Sequence, residues 1–411
     1  MTFSAPDSSA PDRSAPDRPQ NLQPLGLRAR QAFALLRERT GLADLGLAVS
    51  GGSDSLALLA LATEHARAAG YQRLVCATVD HGLRPEAAGE AKRVARVCAR
   101  LGLEHHTLQW RPHAAGRVTQ ALARQARHRL LALWAKQQAL GAIALGHTQD
   151  DRIETFLMRA RQGSGWYGLA GPAPFSPSPV WPEGEGVWLM RPLLAFARAD
   201  LRVLLRAHNL SWTDDPSNAN ARFERVRMRA LSARLSPARR QSIIAMMDRL
   251  AGLRASVMAE ALRLVETLEA DASGAFILPL ELRATVSMHA WRRFLEAMIM
   301  TAGGTQSAPR TAALERLIGW IDAAHGGQAG GPDGPPALEP EGPLRPSALR
   351  RTSLGGAIIG VRAGRHLVFS TAPPRRGRPS PPKQPEDGDP DSRRARARAL
   401  LAPWDLRLLA V

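Results

Sequence analysis

The run Ser50-Gly51-Gly52-Ser53-Asp54-Ser55 concentrates groups that hold an anion. Its two glycines let phosphate oxygens approach the backbone, and the hydroxyls of Ser50, Ser53 and Ser55 add donors. The Asp54 carboxylate is a candidate Mg²⁺ ligand beside the phosphates. An apolar run precedes this segment and a helical pattern follows it, which places backbone N–H groups and a helix dipole on one point. No Gly-Lys-Ser/Thr ending is present, so no lysine is aimed at a γ-phosphate, and pyrophosphate is the better-matched ligand. The competing reading is an ordinary Ser/Asp helix cap with a glycine turn. Six residues in this context favour the anion.

A second group of chemical residues follows Gly146-His147-Thr148-Gln149-Asp150. Asp151 and Glu154 are three apart at a helix start and share a face, which suits a metal ion or an ammonium group. Acids at a helix start also favour the dipole without further function, and the shared face decides for the functional reading. His147, and His81 after an earlier strand, are each either a base or a loop residue facing the backbone. Arg124 and Arg127, on a long helix, either face phosphate or snorkel along the surface.

These residues need a scaffold, and the chain supplies one. From about residue 45 the pattern apolar strand, Gly or Asp loop, amphipathic helix is repeated four times, the signature of a parallel sheet with crossover helices. The strands are expected at 45–49, 74–79, 105–108 and 142–145, and the helices at 55–69, 86–101 and 119–140, with a fourth starting near Asp150. Loops then open at Ser50, Asp80, Trp110 and Gly146, and should line one crevice at the carboxyl ends of the strands. Residues 164–190, rich in Gly, Pro and Trp, read as an irregular excursion before a helix at 197–208. A basic helix at 222–235 follows Asp214-Asp215-Pro216.

Length and charge set the remaining bounds. A chain of 411 residues implies two or three units. Lys and Arg total 55 against 37 for Asp and Glu, and the net charge of +18, nearly all from arginine, favours a nucleic-acid partner, an anionic membrane or mere solubility being the alternatives that charge alone also fits. Cys76 and Cys98 lie far apart with no metal-binding spacing and read as buried packing residues. No run of eighteen apolar residues or signal-peptide core occurs, so a reducing cytoplasm and no membrane are expected. The expected organisation is a disordered leader at 1–30, where Ser-Ala-Pro-Asp recurs, a nucleotide-binding α/β domain at 31–235 and a helical domain at 236–330. A small α+β end piece at 331–372, with strands at 357–362 and 365–370, and a mostly disordered basic tail at 373–411 complete it.

Ser50 to Ser55 after a strand resembles the PP-loop motif of the ATP pyrophosphatases, which cleave ATP between the α- and β-phosphates. Val79-Asp80-His81-Gly82-Leu83-Arg84, the segment from Gly146 to Thr155, and Asp214-Asp215-Pro216-Ser217-Asn218 before Arg222, Arg225, Arg227 and Arg229 sharpen this. Over residues 45–235 the chain resembles the tRNA(Ile)-lysidine synthetase family. The resemblance implies ATP and Mg²⁺, a tRNA(Ile) with a CAU anticodon, and free L-lysine, the wobble cytidine being adenylated and then attacked by the amine. It also extends to Ala123-Arg124-Gln125-Ala126-Arg127, and it places Arg191 and Arg225 near the nucleotide and RNA. The chain departs from the family at Val226, where asparagine is usual after the arginine. The oligomeric state is open, a homodimer being one expectation. A PP-loop thiolase, an amide-forming synthetase and an RNA-binding protein with an idle nucleotide fold are the competing readings. The absence of a C-x-x-C motif, the charge, and the intact loop with Asp151 and Glu154 weigh against them in turn.

Overall fold

The computed structural model describes residues 23–82, 86–111, 119–213, 224–305, 308–325, 349–372 and 390–401. Its first unit alternates strands and helices: α1 (Gln23–Thr40), β1 (Asp44–Ala48), α2 (Ser53–His65), β2 (Arg73–Asp80), α3 (Glu86–Arg100), β3 (Glu104–Gln109), α4 (Gln120–Gln137), β4 (Ala142–Leu145) and α5 (Gln149–Arg161). The short α6 (Trp166–Leu169), β5 (Phe175–Pro177), β6 (Trp188–Met190), α7 (Arg198–Ala207) and α8 (Glu224–Ala233) follow. The sheet order is β3-β2-β1-β4-β6-β5, parallel except for β5 against β6. β1 and β4 are buried on both faces, which is why they read as continuous apolar runs.

This order creates the site. The chain winds from β1 outward to β3, and α4 then returns it to β4 on the other side of β1. The direction of winding reverses between β1 and β4, so the loops leaving their carboxyl ends diverge and leave a crevice. α2 is apolar almost all round, with Leu56, Leu58, Leu59 and Leu61 buried, because it is sandwiched between α1 and α7. Phe33 of α1 and Leu201 and Leu205 of α7 complete that core.

The second unit comprises α9 (Pro237–Glu266), β7 (Glu269–Ala270), β8 (Phe276–Pro279), α10 (Met288–Ala302) and α11 (Thr311–His325). It ends with β9 (Leu349–Leu354), β10 (Ala357–Arg362), β11 (His366–Thr371) and α12 (Pro390–Leu401). Here several expectations are corrected. β7 and β8 join β9 to β11 in one antiparallel sheet, and one core runs from Val257 through Trp291, Phe294 and Phe369 to Leu401. The described residues of the helical stretch at 236–330 and of the end piece at 331–372 therefore share one core, residues 326–348 lying outside the described residues.

The tail is ordered at 390–401, because Ala397 and Leu401, four apart on α12, fit into that core. Its arginines serve structure: Arg394 Nη2 donates to the Leu268 carbonyl at 2.6 Å just past α9, Arg393 Nη1 to the Gly274 carbonyl at 2.6 Å, and Arg398 pairs with Glu266. α1 likewise begins inside the expected leader, with Leu25 and Ala29 buried. The excursion at 164–190 contributes β5 and β6 to the first sheet. Residues 1–22, 83–85, 112–118, 214–223, 373–389 and 402–411 lie outside the described residues, and with them most of the expected leader and tail and the segment from Asp214 to Asn218. Among the described residues no helix is long and apolar enough to cross a membrane.

Candidate active site

The loop after β1 is braced from within. Ser55 Oγ accepts from the Ser50 N–H at 3.1 Å, donates to the Gly52 carbonyl at 3.0 Å and lies 3.2 Å from Ser50 Oγ. Gly51 turns the chain at φ +84°, where a side chain would be strained. Gly52 is the cap of α2 and carries no side-chain acceptor for the first N–H groups of the helix. The Ser/Asp cap considered from the sequence is therefore not what forms, and the first N–H groups of α2 have no side-chain cap. A Cβ on Gly52 would meet only Ser50 Oγ at 3.8 Å, so the space above it is open.

The loop after β4 forms the facing wall. A Cβ on Gly146 would lie 2.9 Å from the Asp54 carbonyl oxygen and 3.0 Å from Ser55 Cα, so glycine is what lets the two loops touch. Gly146→Ala is expected to push the start of α2 aside and cost about 1–3 kcal/mol, as overpacking against backbone does. Chemical denaturation checks the stability, and nucleotide affinity should fall with it. Thr148 then caps α5: its N–H and Oγ donate to Asp151 Oδ2 at 2.7 and 2.9 Å. This capping box turns the other carboxylate oxygen of Asp151 toward the crevice.

Three carboxylates from two helices converge there on arginine. Arg198, in the first turn of α7, donates from Nε to Asp54 Oδ2 at 2.8 Å, from Nη1 to Glu154 Oε1 at 3.2 Å and from Nη2 to Asp151 Oδ1 at 3.3 Å. Arg225 of α8 adds bonds to Glu154 at 3.1 Å and Asp151 at 2.5 Å, and Arg229 one to Glu154 at 3.1 Å. Glu154 is only 1% exposed. Burial works to raise the Asp151 carboxyl, but Arg225 and Arg198 outweigh it and hold the group well below the ordinary carboxylate range. Burial raises Asp54, and Arg198 offsets part of that rise. Asp150 points elsewhere, accepting from the Arg198 N–H and from Arg240 at 2.7 Å each.

The crevice between the walls has a volume of about 370 Å³. Beyond the loop, Asp54, Asp151 and Arg198, it is lined by His81, Arg124, Arg127, His128, His147, Arg202 and Arg229. His147 Nδ1 and His128 Nδ1 are buried without a hydrogen-bond partner among the described residues. Burial, then the nearby Arg191, push the His147 imidazole well below its usual range, so the ring is neutral at pH 7. Burial, with Arg225 and Arg127 nearby, brings Arg124 down to about 10, still a cation at neutral pH. The chamber is thus acidic at one corner and cationic along the rest of its wall.

The sequence-derived candidates are distributed unevenly. Ser50, Gly52, Ser53, Asp54, Ser55, Arg124, His147 and Asp151 line the crevice, while Glu154 and Arg225 join it through the ion-pair cluster. Gly51 shapes the loop rather than the wall. Arg191 does not line the crevice: its Nη1 donates to the Ala173 carbonyl at 2.9 Å and to Ser176 Oγ at 3.1 Å, fastening the start of β5, while its charge acts on His147 and Arg124 of the crevice wall. Sequence reasoning missed Arg198, Arg202, His128 and Thr213. Arg198 carried one usable signal, since a cation in the first turn of a helix opposes the dipole and needs a local reason to be there.

Comparison with known proteins follows the same boundaries. The PP-loop domain family matches residues 27–235. A tRNA(Ile)-lysidine synthase from Hyphomonas neptunium is 50% identical over 238 residues, covering 56% of this chain and 63% of that protein. A tRNA(Ile)-lysidine synthase from a Bradyrhizobium species is 36% identical over 379 residues, covering 87% of this chain and 98% of that protein. Among solved structures, the U34-tRNA thiolase NcsA from Methanococcus maripaludis aligns with a TM-score of 0.44 and 16% identity, over 55% of this chain and 78% of that one.

Proposed function

The chain belongs to the tRNA(Ile)-lysidine synthase family of PP-loop proteins, and we propose that it joins L-lysine to the wobble cytidine of a tRNA(Ile) with a CAU anticodon at the expense of ATP. One observation supports this most: an uncapped helix start suited to pyrophosphate faces, across one crevice, a carboxylate pair held by arginines. The first site suits adenylation and the second suits an amine.

In the first step the cytidine C2 oxygen attacks the α-phosphate, and the α–β bridging bond breaks to release pyrophosphate. The N–H groups at the start of α2, with Arg124 and Arg127 along the wall, meet the charge that develops on the leaving group. In the second step the ε-amine of lysine attacks C2, loses a proton, and AMP leaves with the C2 oxygen. Asp151 and Glu154 orient the lysine by its charge, and neutral His147 offers an acceptor for a proton beside them.

Magnesium fits a limited role. Among the described residues no group of three or more His, Cys, Asp or Glu is arranged to hold a metal ion. Asp54 is a single half-buried carboxylate at the phosphate loop, the donor set of an ion held mainly by phosphate oxygens and water. Such an ion, when bound, neutralises phosphate charge, and Asp54 is the residue to hold it. A sulfur-transfer reading finds no support, since Cys76 and Cys98 are both buried in the core and neither lines the crevice. The net charge of +18 favours a polyanionic substrate.

The test is incubation of the full chain with ATP, Mg²⁺, labelled lysine and a tRNA(Ile) transcript with a CAU anticodon. Label is expected in the RNA, and none when the anticodon cytidine is changed. Retention of label on the mutated transcript would overturn the reading.

A further inference from the structure

Arg198 occupies a position that neither Arg225 nor Arg229 shares. Among the described residues it is the guanidinium that bonds Asp54 of the phosphate loop and Asp151 and Glu154 of α5 at once. Each of its three nitrogens takes a different carboxylate, a fork that a point charge cannot reproduce. Its backbone N–H donates to Asp150 Oδ2 at 2.7 Å, while all three carboxylate bonds are made by its side chain. The side chain is 15% exposed, against 41% for Arg225 and 39% for Arg229, and its bonds to Asp54 and to Asp151 and Glu154 place it between the two subsites.

The placement has a chemical consequence. With Arg198, Arg225 and Arg229 in place, the three carboxylates are matched charge for charge. An ammonium group added to Asp151 and Glu154 needs a guanidinium to leave them. Phosphates arriving at the start of α2, beside Asp54, add negative charge at that end of the fork and compete with Asp151 and Glu154 for the guanidinium.

Resting on the reading of Asp151 and Glu154 as the amine site, we propose that Arg198 is a positioning residue that orders the two substrates. It holds the amine carboxylates closed until a nucleotide draws it to the phosphate loop. Lysine therefore binds weakly to the free protein and more tightly once nucleotide is present. Neither bond making nor bond breaking is assigned to Arg198.

The experiment measures binding of labelled lysine to the full chain, with and without a non-hydrolysable ATP analogue and Mg²⁺, in the wild type, Arg198→Met and Arg198→Lys. Methionine keeps much of the apolar stem and removes the fork. In the wild type the analogue should tighten lysine binding by about fivefold or more, a typical size for coupled sites. Arg198→Met should bind lysine more tightly than the wild type without nucleotide, and the analogue should change its affinity less than about twofold. A merely structural arginine predicts weaker binding in every state. Arg198→Lys should keep less than half of the wild-type coupling, and it decides the matter if the methionine variant does not fold. Full coupling in either variant, or none in the wild type, overturns the proposal. A wild type that binds nucleotide but no lysine in any state removes the amine reading itself, an outcome distinct from uncoupled lysine binding.

Discussion

Gly52→Val is expected to cut ATP cleavage by about a hundredfold or more in a protein that still folds. Gly52 has φ −76° and ψ 161°, extended backbone that valine adopts readily, and its Cβ would enter open space with Ser50 Oγ 3.8 Å away. Stability should therefore change by about 1 kcal/mol or less, the scale of an altered cap without a lost hydrogen bond. The branched side chain would, however, stand where phosphate oxygens approach the first N–H groups of α2. Loss of those donors should cost about a hundredfold to a thousandfold in kcat/KM for ATP. Thermal melting and pyrophosphate release, measured on the same sample, separate the two effects. Activity within tenfold of the wild type would mean that phosphate does not lie against Gly52.

Glu154→Gln carries the opposite signature, a large effect on both stability and chemistry. Glu154 is 1% exposed and accepts from Arg198, Arg225 and Arg229 at 3.1–3.2 Å. Glutamine removes the negative charge and turns an amide N–H₂ toward guanidinium groups that cannot accept. Breaking one side of a buried ion-pair cluster typically costs about 3–5 kcal/mol, because the remaining charges stay buried without compensation. Arg225 and Arg229 are partly exposed and can turn to water, which puts the expected loss near the lower end, about 3 kcal/mol. Lysine transfer should fall by at least about a hundredfold at the same time, since one of the two carboxylates that orient the amine is gone. Urea denaturation with a lysine-incorporation assay checks both. A variant within about 1 kcal/mol of the wild type would show that the cluster is worth little to the fold.

These two residues also show where sequence was informative. Gly52 and Glu154 were both accessible to a reading by spacing, because a glycine run between strand and helix and two acids three apart on one helix face are local patterns. β1, β2 and β4 were visible for a related reason: they are largely buried and bounded by Gly or Asp, so burial is written as continuous hydrophobicity. β5 and β6 have three residues each and lie in a stretch of Gly, Pro and Trp, too short to express a period. β9 carries Arg350 and Arg351 and pairs with β10, a contact that no local pattern announces.

Arg198 and α12 were hidden by the same property. In a chain whose cations are almost all arginine, one more arginine carries no composition signal. What distinguishes Arg198 is that α7 begins beside Asp54 and α5, a matter of tertiary arrangement. On α12 the charged residues outnumber the anchors Ala397 and Leu401, so the helix looks solvated until the core it covers is in view. Arg191 is a different case. Its hydrogen bonds go to the Ala173 carbonyl and Ser176, and it reaches the crevice through its charge on His147 and Arg124.

A single crevice serving both an adenylation and an amine attack is tested most directly by a single-turnover experiment. Enzyme in excess is mixed with labelled ATP, Mg²⁺, lysine and the tRNA(Ile) transcript, and AMP, pyrophosphate and RNA-bound lysine are followed in time. The account predicts that pyrophosphate appears first, that AMP and RNA-bound lysine then appear together, and that all three reach equal amounts. Cleavage of ATP to ADP and phosphate, or release of AMP with no lysine on the RNA, would contradict it.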